Sequence, residues 1–377
     1  MRCFFIPTTQ ENAACGPIFH DKSLPLPHNT HYSKMTDKQF LAGKTAEELK
    51  TIAAAYGMPR FAASQIASWL YRNRVDSIDK MTNLSKANRE KLAADFEVGY
   101  TAPIEANRSD DGTIKYLFAA GDSYIETVYI PDRDRATLCV SSQVGCKMNC
   151  RFCMTGKQGF KKNLTATEII NQIVSIPEFE HLTNIVFMGM GEPLDNTDEV
   201  LKALDILTSD YGFAWSPRRI TLSTIGVTPN LRRFLDESQC HLAISLHNPF
   251  ADQRQELMPV QKAFPIAATI ELLRQYDFSH QRRLSFEYIV FEGLNDTPAH
   301  INELAHLLHG LDCRINLIRF HAIPQVDLHS PSTEKMEAFR DALSRKGIIC
   351  TIRASRGEDI KAACGMLSTA RKEAERK

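Results

Sequence analysis

Three cysteines, Cys146, Cys150 and Cys153, stand at the spacing Cys-x3-Cys-x2-Cys in a loop that also carries Gly145, Gly156 and Gly159. Thiolates so spaced can wrap one iron–sulfur cluster with three ligands and leave one iron without a protein donor. A zinc site would need a fourth ligand, and the loop has no histidine to supply it. Buried free thiols are the remaining alternative, although three so close together seldom serve packing alone. Cys139 lies in an apolar stretch and by itself reads as core, while Cys364 stands near the C-terminus and Cys3, Cys15, Cys240, Cys313 and Cys350 are scattered singly. Ten cysteines in 377 residues are too sparse for a disulfide-stapled secreted domain. Clustered cysteines in a reducing compartment mean metal or redox chemistry.

A loop with this task needs a rigid frame. From residue 135 short β-branched runs alternate with amphipathic segments, the pattern of repeated βα units on a parallel sheet. Strands are predicted to start near Thr137, Asn184, Arg219, Leu242, Leu284, Arg314 and Ile348, with helices between them, one capped by Thr165 and Glu168 and one from Pro265 through Tyr276. Six or seven such units predict an α/β fold, a full or partial (β/α)6-type barrel, whose chemistry gathers in the loops after the strands. The triad follows the first of these strands.

Upstream, three further regions are predicted. Residues 1–34 carry Pro7, Pro17, Pro25 and Pro27 without apolar periodicity and read as a disordered extension. Residues 35–98 form a small helical domain, opened by a capping box at Thr45 and Glu48 and continued by Ala63, Ile66, Ala67, Leu70 and Tyr71 at helical spacing. Residues 99–134 read as a short β meander, 135–370 as the barrel and 371–377 as a charged tail. Forty-five basic residues balance 45 acidic ones, so an anionic partner must be met by local clusters. No long uncharged apolar run or secretory signal is present, so a cytosolic protein without a membrane span is expected.

The cysteine motif is similar to that of radical S-adenosylmethionine (radical SAM) enzymes. Further stretches narrow the resemblance: Arg135 through Cys146, Arg151-Phe152-Cys153, Gln158-Gly159-Phe160, Met188-Gly-Met-Gly191-Glu192-Pro193-Leu194, Thr221-Leu-Ser223-Thr, Ser245-Leu246-His247-Asn248, and Arg356 through Cys364-Gly365. Together, over about residues 36 to 370, they resemble the RlmN family of adenosine C2 methyltransferases.

That resemblance implies a [4Fe-4S] cluster on Cys146, Cys150 and Cys153 whose open iron binds SAM. It implies that one SAM methylates Cys364, and that a second yields a 5′-deoxyadenosyl radical which takes hydrogen from the cysteine-bound methyl. The methylene radical adds to the adenine carbon, Glu126 accepts the proton, and Cys139 attacks the Cys364 sulfur, forming a disulfide and releasing the base. Read alone, Glu126 would be a solvent-facing strand carboxylate. SAM contacts are implied at Gly191 and Glu192, at Ser223, at Ser245, Leu246 and His247, and at His321. The family has Asn where His321 stands, and imidazole replaces one amide hydrogen bond but not donor and acceptor together.

The implied substrates are a 23S rRNA adenosine near the peptidyl-transferase centre and adenosine 37 of tRNAs, with the helical domain as an accessory RNA-binding module and an external flavodoxin- or ferredoxin-type electron donor. A monomer is expected. Lys147, Arg151, Lys157, Lys161 and Lys162 surround the cysteine loop, and Arg218-Arg219, Arg232-Arg233 and Arg282-Arg283 add candidate phosphate contacts. A Cfr-type enzyme acting on the C8 carbon of the same rRNA base, or a noncatalytic iron–sulfur RNA-binding protein, are the alternatives.

Overall fold

The computed structural model describes residues 23–24, 38–279 and 282–369. Most of the 1–34 extension and the 371–377 tail lie outside them.

The N-terminal helices follow their caps. Helix α1 (Ala46–Ala55) begins at Thr45, whose hydroxyl accepts from the Glu48 amide while the Glu48 carboxylate accepts from the Thr45 amide, closing the expected capping box. Helix α2 (Ala62–Ala67) runs on as a wider turn through Arg72, and α3 (Lys86–Asp95) starts at Ser85. Leu49, Ala53, Ile66, Leu70, Tyr71 and Leu92 bury the shared apolar face. The small unit is docked on the rest of the chain. Thr167 donates its hydroxyl to the Ala42 carbonyl at 2.5 Å, Lys202 pairs with Glu48 at 2.9 Å, and Tyr71 packs against Tyr211 and Phe213. Gly43, at φ +79°, lets the backbone approach so closely that a Cβ would sit 2.4 Å from the Thr167 nitrogen.

One sheet of eleven strands carries the remainder, and its spatial order is the chain order. Strands β1 (Ser23–Leu24), β2 (Glu105–Arg108), β3 (Ile114–Ala120), β4 (Ser123–Asp132) and β5 (Arg135–Cys139) pair antiparallel. From β5 the pairing turns parallel through β6 (Asn184–Phe187), β7 (Ile220–Thr224), β8 (His241–Ser245), β9 (Leu284–Val290), β10 (Cys313–Arg319) and β11 (Ile349–Ile352). Every residue of β9 is buried, as a strand covered on both faces requires. Helices α4 (Ala166–Val174), α5 (Thr197–Thr208), α6 (Thr228–Glu237), α7 (Ala251–Leu257), α8 (Ile266–Leu273), α9 (Pro298–Leu307) and α10 (Thr333–Arg345) lie between the parallel strands in sequence. Thr165 and Glu168 cap α4 in the expected box.

The seven parallel strands start within a residue or two of their predicted positions. Strand β11 does not pair with β5, so the barrel is open. The meander differs in its relation to the barrel. It is no separate linker, since β4 pairs with β5 over Val128–Asp132 and Arg135–Cys139 and continues the same sheet. Ser23–Leu24, inside the predicted extension, pairs with Asn107 and Ala106 as its outer edge.

Candidate active site

Cys139 ends β5, and the chain then makes the loop that carries the triad. Gly145, at φ +72°, turns that loop where a Cβ would lie 1.6 Å from the Gly159 carbonyl oxygen, so no other residue fits there. The Arg151 amide donates to the Leu257 carbonyl at 2.9 Å, fixing the loop against the end of α7. Cys146, Cys150 and Cys153 all face one cavity, shared with Gly191, Glu192, Ser223, Ser245 and His247 from the ends of β6, β7 and β8. Leu246, fully buried beneath it, supplies backbone and packing and does not line the cavity.

Burial pushes the Cys150 thiol far above its ordinary range, with Cys153 and Cys146 adding to the rise and Arg254 opposing it. Burial also pushes Cys146 up to about 12. The three sulfurs thus sense one another. Three thiols that converge on one cavity are a donor set that fits an iron–sulfur cluster.

His247 has its Nδ1 accepting from the Ile289 amide at 3.0 Å. An amide can only donate, so the ring proton sits on Nε2. Burial, reinforced by Arg254, pushes the imidazole down to about 3, keeping it neutral. Glu192 is clamped: its carboxylate accepts from the Thr224 hydroxyl at 2.6 Å, the Ile225 amide at 3.0 Å and the Leu194 amide at 3.0 Å. Burial nonetheless pushes it up to about 7, against those three bonds. Gly191, at φ +99°, brings the backbone within reach of the Gln143 side chain, which a Cβ would meet at 2.5 Å.

A second cavity adjoins the first. Cys139, Arg353, His321 and Thr155 belong to its walls, whereas Cys153, Met188, Gly189, Ile318, Cys364 and Gly365 are common to both. Cys364 therefore stands at the junction. Its side chain is open rather than covered, but what it opens onto is a recess with protein around it, and that enclosure pushes the thiol up while Arg353 pulls it down. The Cys139 thiol is buried and pushed up to about 12, with Cys364 adding to the rise and Arg353 again opposing it. Both are free thiols close enough to influence each other electrostatically.

The segment that carries Cys364 is held by the cysteine loop. The Met154 amide donates to the Gly365 carbonyl at 2.8 Å, the Thr155 hydroxyl to the Leu367 carbonyl at 2.7 Å, and the Gln158 amide group to the Thr369 hydroxyl at 2.7 Å. The Ser368 amide donates to the Glu126 carboxylate at 2.9 Å. Glu126 is buried, not solvent-facing, and pairs with Lys115 at 2.9 Å. Burial pushes its carboxyl up, with Lys115 pulling the other way. Val128 pairs with Cys139 across β4 and β5, so Glu126, two residues away, shares the sheet face of Cys139. Neither cavity wall includes Glu126 itself.

His321 lies on the outer cavity, with Nδ1 3.4 Å from the Glu358 carboxylate, and not on the inner one that Gly191, Ser223 and Ser245 line. Three groups escaped the reading of the sequence. Arg254 is wholly buried and donates to the carbonyls of Leu246, Ile225 and Ser245 and to the Gln261 side chain, tying together the loops after β7 and β8. Glu287 is buried on the inner cavity, where Asn316 donates to it at 2.8 Å and Arg353 approaches at 3.4 Å. Arg353 also lines the outer cavity with Cys139 and Cys364, whose thiols it influences electrostatically. Of the basic residues around the loop, Lys147 pairs with Asp195 and Lys162 with Glu168, while Arg151 and Lys157 are exposed.

An open, mostly parallel sheet with a three-cysteine loop after its first parallel strand and a cavity across the next strand ends defines a radical SAM protein. The radical SAM superfamily model matches residues 140–308, and the model for the ribosomal RNA large subunit methyltransferase N-terminal domain matches residues 40–98. The chain is 63% identical over 338 residues to a "Probable dual-specificity RNA methyltransferase RlmN" of Parabacteroides distasonis, covering 89% of this chain and 98% of that one. It is 43% identical over 327 residues to the "Dual-specificity RNA methyltransferase RlmN" of Syntrophus aciditrophicus, covering 85% and 94%. The crystal structure of a radical SAM methyltransferase from Sphaerobacter thermophilus matches with a TM-score of 0.81 at 42% identity, over 87% of this chain and 99% of that one. The chain belongs to the RlmN family of radical SAM RNA methyltransferases.

Proposed function

We propose that this enzyme methylates C2 of an adenosine in 23S rRNA, at the peptidyl-transferase centre, and of adenosine 37 in tRNAs, by way of a methylated Cys364 and a transient disulfide between Cys364 and Cys139. The observation that carries this reading is the position of Cys364, at the junction of a cavity that holds the cysteine triad and a cavity that holds Cys139.

Cys146, Cys150 and Cys153 would hold a [4Fe-4S] cluster, and Gly191, Glu192, Ser223, Ser245 and His247 would hold SAM against it. Together these supply, when bound, the one-electron chemistry that activates an otherwise inert methyl group. The electron-poor adenine carbon between two nitrogens is no nucleophile, so a polar transfer would fail there. Cys364 presents its methyl group on the inner side and the base enters from the outer side. Arg353 favours the thiolate of Cys364 before methylation and of Cys139 at resolution. Once base and Cys364 are joined, Glu126 takes the proton from the adenine carbon, and the Cys139 thiolate attacks the Cys364 sulfur. The sulfur–sulfur bond forms as the sulfur–carbon bond to the modified base breaks, and the electron pair left on that carbon takes up a proton, which completes the methyl group. An external reductant resets the pair. The base must leave its stack to reach this recess, so the RNA target is an unpaired or remodelled loop.

On this reading the enzyme is a cytoplasmic monomer that draws electrons from a flavodoxin- or ferredoxin-type donor, and no described helix is long and apolar enough to cross a membrane. Cys139→Ala tests the assignment in anaerobic turnover with rRNA and tRNA fragments. A covalent protein–RNA adduct should accumulate, whereas Cys364→Ala should give neither adduct nor methylated base. Mass spectrometry of digested product RNA should show 2-methyladenosine. An 8-methyladenosine product, or wild-type turnover by Cys139→Ala, would overturn the reading.

A further inference from the structure

Helix α7 stands directly behind the cysteine loop. The Arg151 amide, between Cys150 and Cys153, donates to the carbonyl of Leu257, the last residue of the helix, and Met258 next to it lines the inner cavity. Three residues before Leu257 the same helix carries Arg254, which has no exposed surface. Nε donates to the Leu246 carbonyl at 3.0 Å, Nη2 to the Ser245 carbonyl at 2.9 Å and the Ile225 carbonyl at 3.2 Å, and Nη1 to the Gln261 side chain at 2.5 Å. Ile225 and Ser245 line the inner cavity with the three cysteines, so the guanidinium lies one layer behind its wall.

All four partners are neutral. Among the described residues no carboxylate pairs with Arg254. The two carboxylates on the inner cavity are held elsewhere, Glu192 by Thr224, Ile225 and Leu194, and Glu287 by Asn316 and Arg353. A charge taken wholly out of water without a counter-charge is expensive, and buried charges are ordinarily paired. Burial accordingly pulls the guanidinium down to about 10, which still leaves it charged at neutral pH, and the group that opposes this pull is Cys150. Carbonyls can be bonded by neutral donors, so tying the loops together does not by itself account for a buried cation.

The inner cavity supplies the missing anion once its cysteines are loaded. Three thiolates outweigh the positive charge of an oxidised [4Fe-4S] core, so the loaded site is negative, and more so after it takes up an electron. A fixed positive charge close by in a low dielectric therefore stabilises the reduced form more than the oxidised one. We infer that Arg254 is the buried counter-charge of the cluster and raises the reduction potential at which it accepts an electron from an external donor. This rests on the reading of Cys146, Cys150 and Cys153 as a [4Fe-4S] site. With no exposed surface, Arg254 acts through its field and not by contact with SAM or RNA.

Redox titration of the anaerobically reconstituted full-length enzyme without SAM, followed by electron paramagnetic resonance of the reduced cluster, tests this. Arg254→Met removes the charge, and Arg254→Lys keeps it while losing most of the carbonyl bonds. Gln261→Glu leaves those bonds intact and sets a negative charge 2.5 Å from the guanidinium, so it reports how strongly that position couples to the cluster. At a fixed solution potential the ratio of reduced to oxidised cluster should fall on the order of tenfold in Arg254→Met and in Gln261→Glu, the size expected of one charge acting through buried protein. Arg254→Lys should stay near wild type. An unchanged potential in Gln261→Glu would overturn the inference even where the Arg254 variants assemble no cluster. So would a shift in Arg254→Lys as large as in Arg254→Met, the mark of a purely structural tie. Wild type that binds no iron would overturn the cluster reading itself, and the inference with it.

Discussion

Glu192 shows how one residue can hold two opposed demands. Three donors favour its carboxylate, and burial favours the acid strongly enough to raise it from 4.5 to about 7. A carboxyl raised in the folded state binds a proton that the unfolded chain has already lost, so the stability it confers is complete below pH 4.5 and disappears as pH rises through 7. The shift corresponds to about 3 kcal/mol. Thermal denaturation of the cluster-free chain at pH 5 and pH 8 should show wild type losing roughly that much relative to Glu192→Gln; parallel pH profiles would remove the argument. The Gly-Glu step was readable in the sequence because a motif surrounds it. Arg254, Glu287 and Arg353 were not, because a single charged residue reads as solvated surface until its partners, far away in the chain, are known. Their partners lie at the ends of strands or in other strands: Arg254 donates to Ile225 and Ser245, and Arg353 pairs with Glu287.

At the level of elements, local signals were legible where local physics decides. Thr45 and Thr165 cap their helices as the residues three positions on require, and short stretches rich in Ile, Leu and Val mark the parallel strands. Pairing across the sheet is a long-range choice, and nothing in the meander announced that β4 would join β5. His321 illustrates the same limit, since strand β10 fixes its neighbourhood but not which of two adjacent cavities its ring enters. On the proposed function the chemistry turns on the segment after Gly357, which carries Cys364. Gly365, at φ +82°, would place a Cβ 2.9 Å from the Phe152 carbonyl oxygen. Gly365→Ala should therefore displace the Cys364 segment while leaving the triad able to assemble its cluster. Iron and sulfide content should stay within experimental error of wild type and methylation should fall at least tenfold. Loss of iron in step with methylation would show that the two elements are not separable.

For the whole molecule, the small helical unit and the barrel are joined by a close backbone approach at Gly43 and by the Lys202–Glu48 pair. If the helical unit steers RNA to the outer cavity, Gly43→Val should weaken RNA binding severalfold while SAM cleavage without RNA persists at its wild-type rate. Equal losses in both would instead point to general unfolding. Zero formal net charge suits this division of labour, because a molecule with 45 charges of each sign attracts RNA only where its cations are unpaired. Lys147 and Lys162, each held by a carboxylate, contribute less to that attraction than the exposed Arg151 and Lys157.

The bonds between Met154 and Gly365, Thr155 and Leu367, and Gln158 and Thr369 join an early part of the chain to a late one. Synthesis runs in one direction, so on the proposed function the sulfurs that would gather iron emerge long before the one that would bear the carbon unit. A half-made polypeptide would then lack the acceptor, and these three bonds would complete the site only once residues 365–369 had been made.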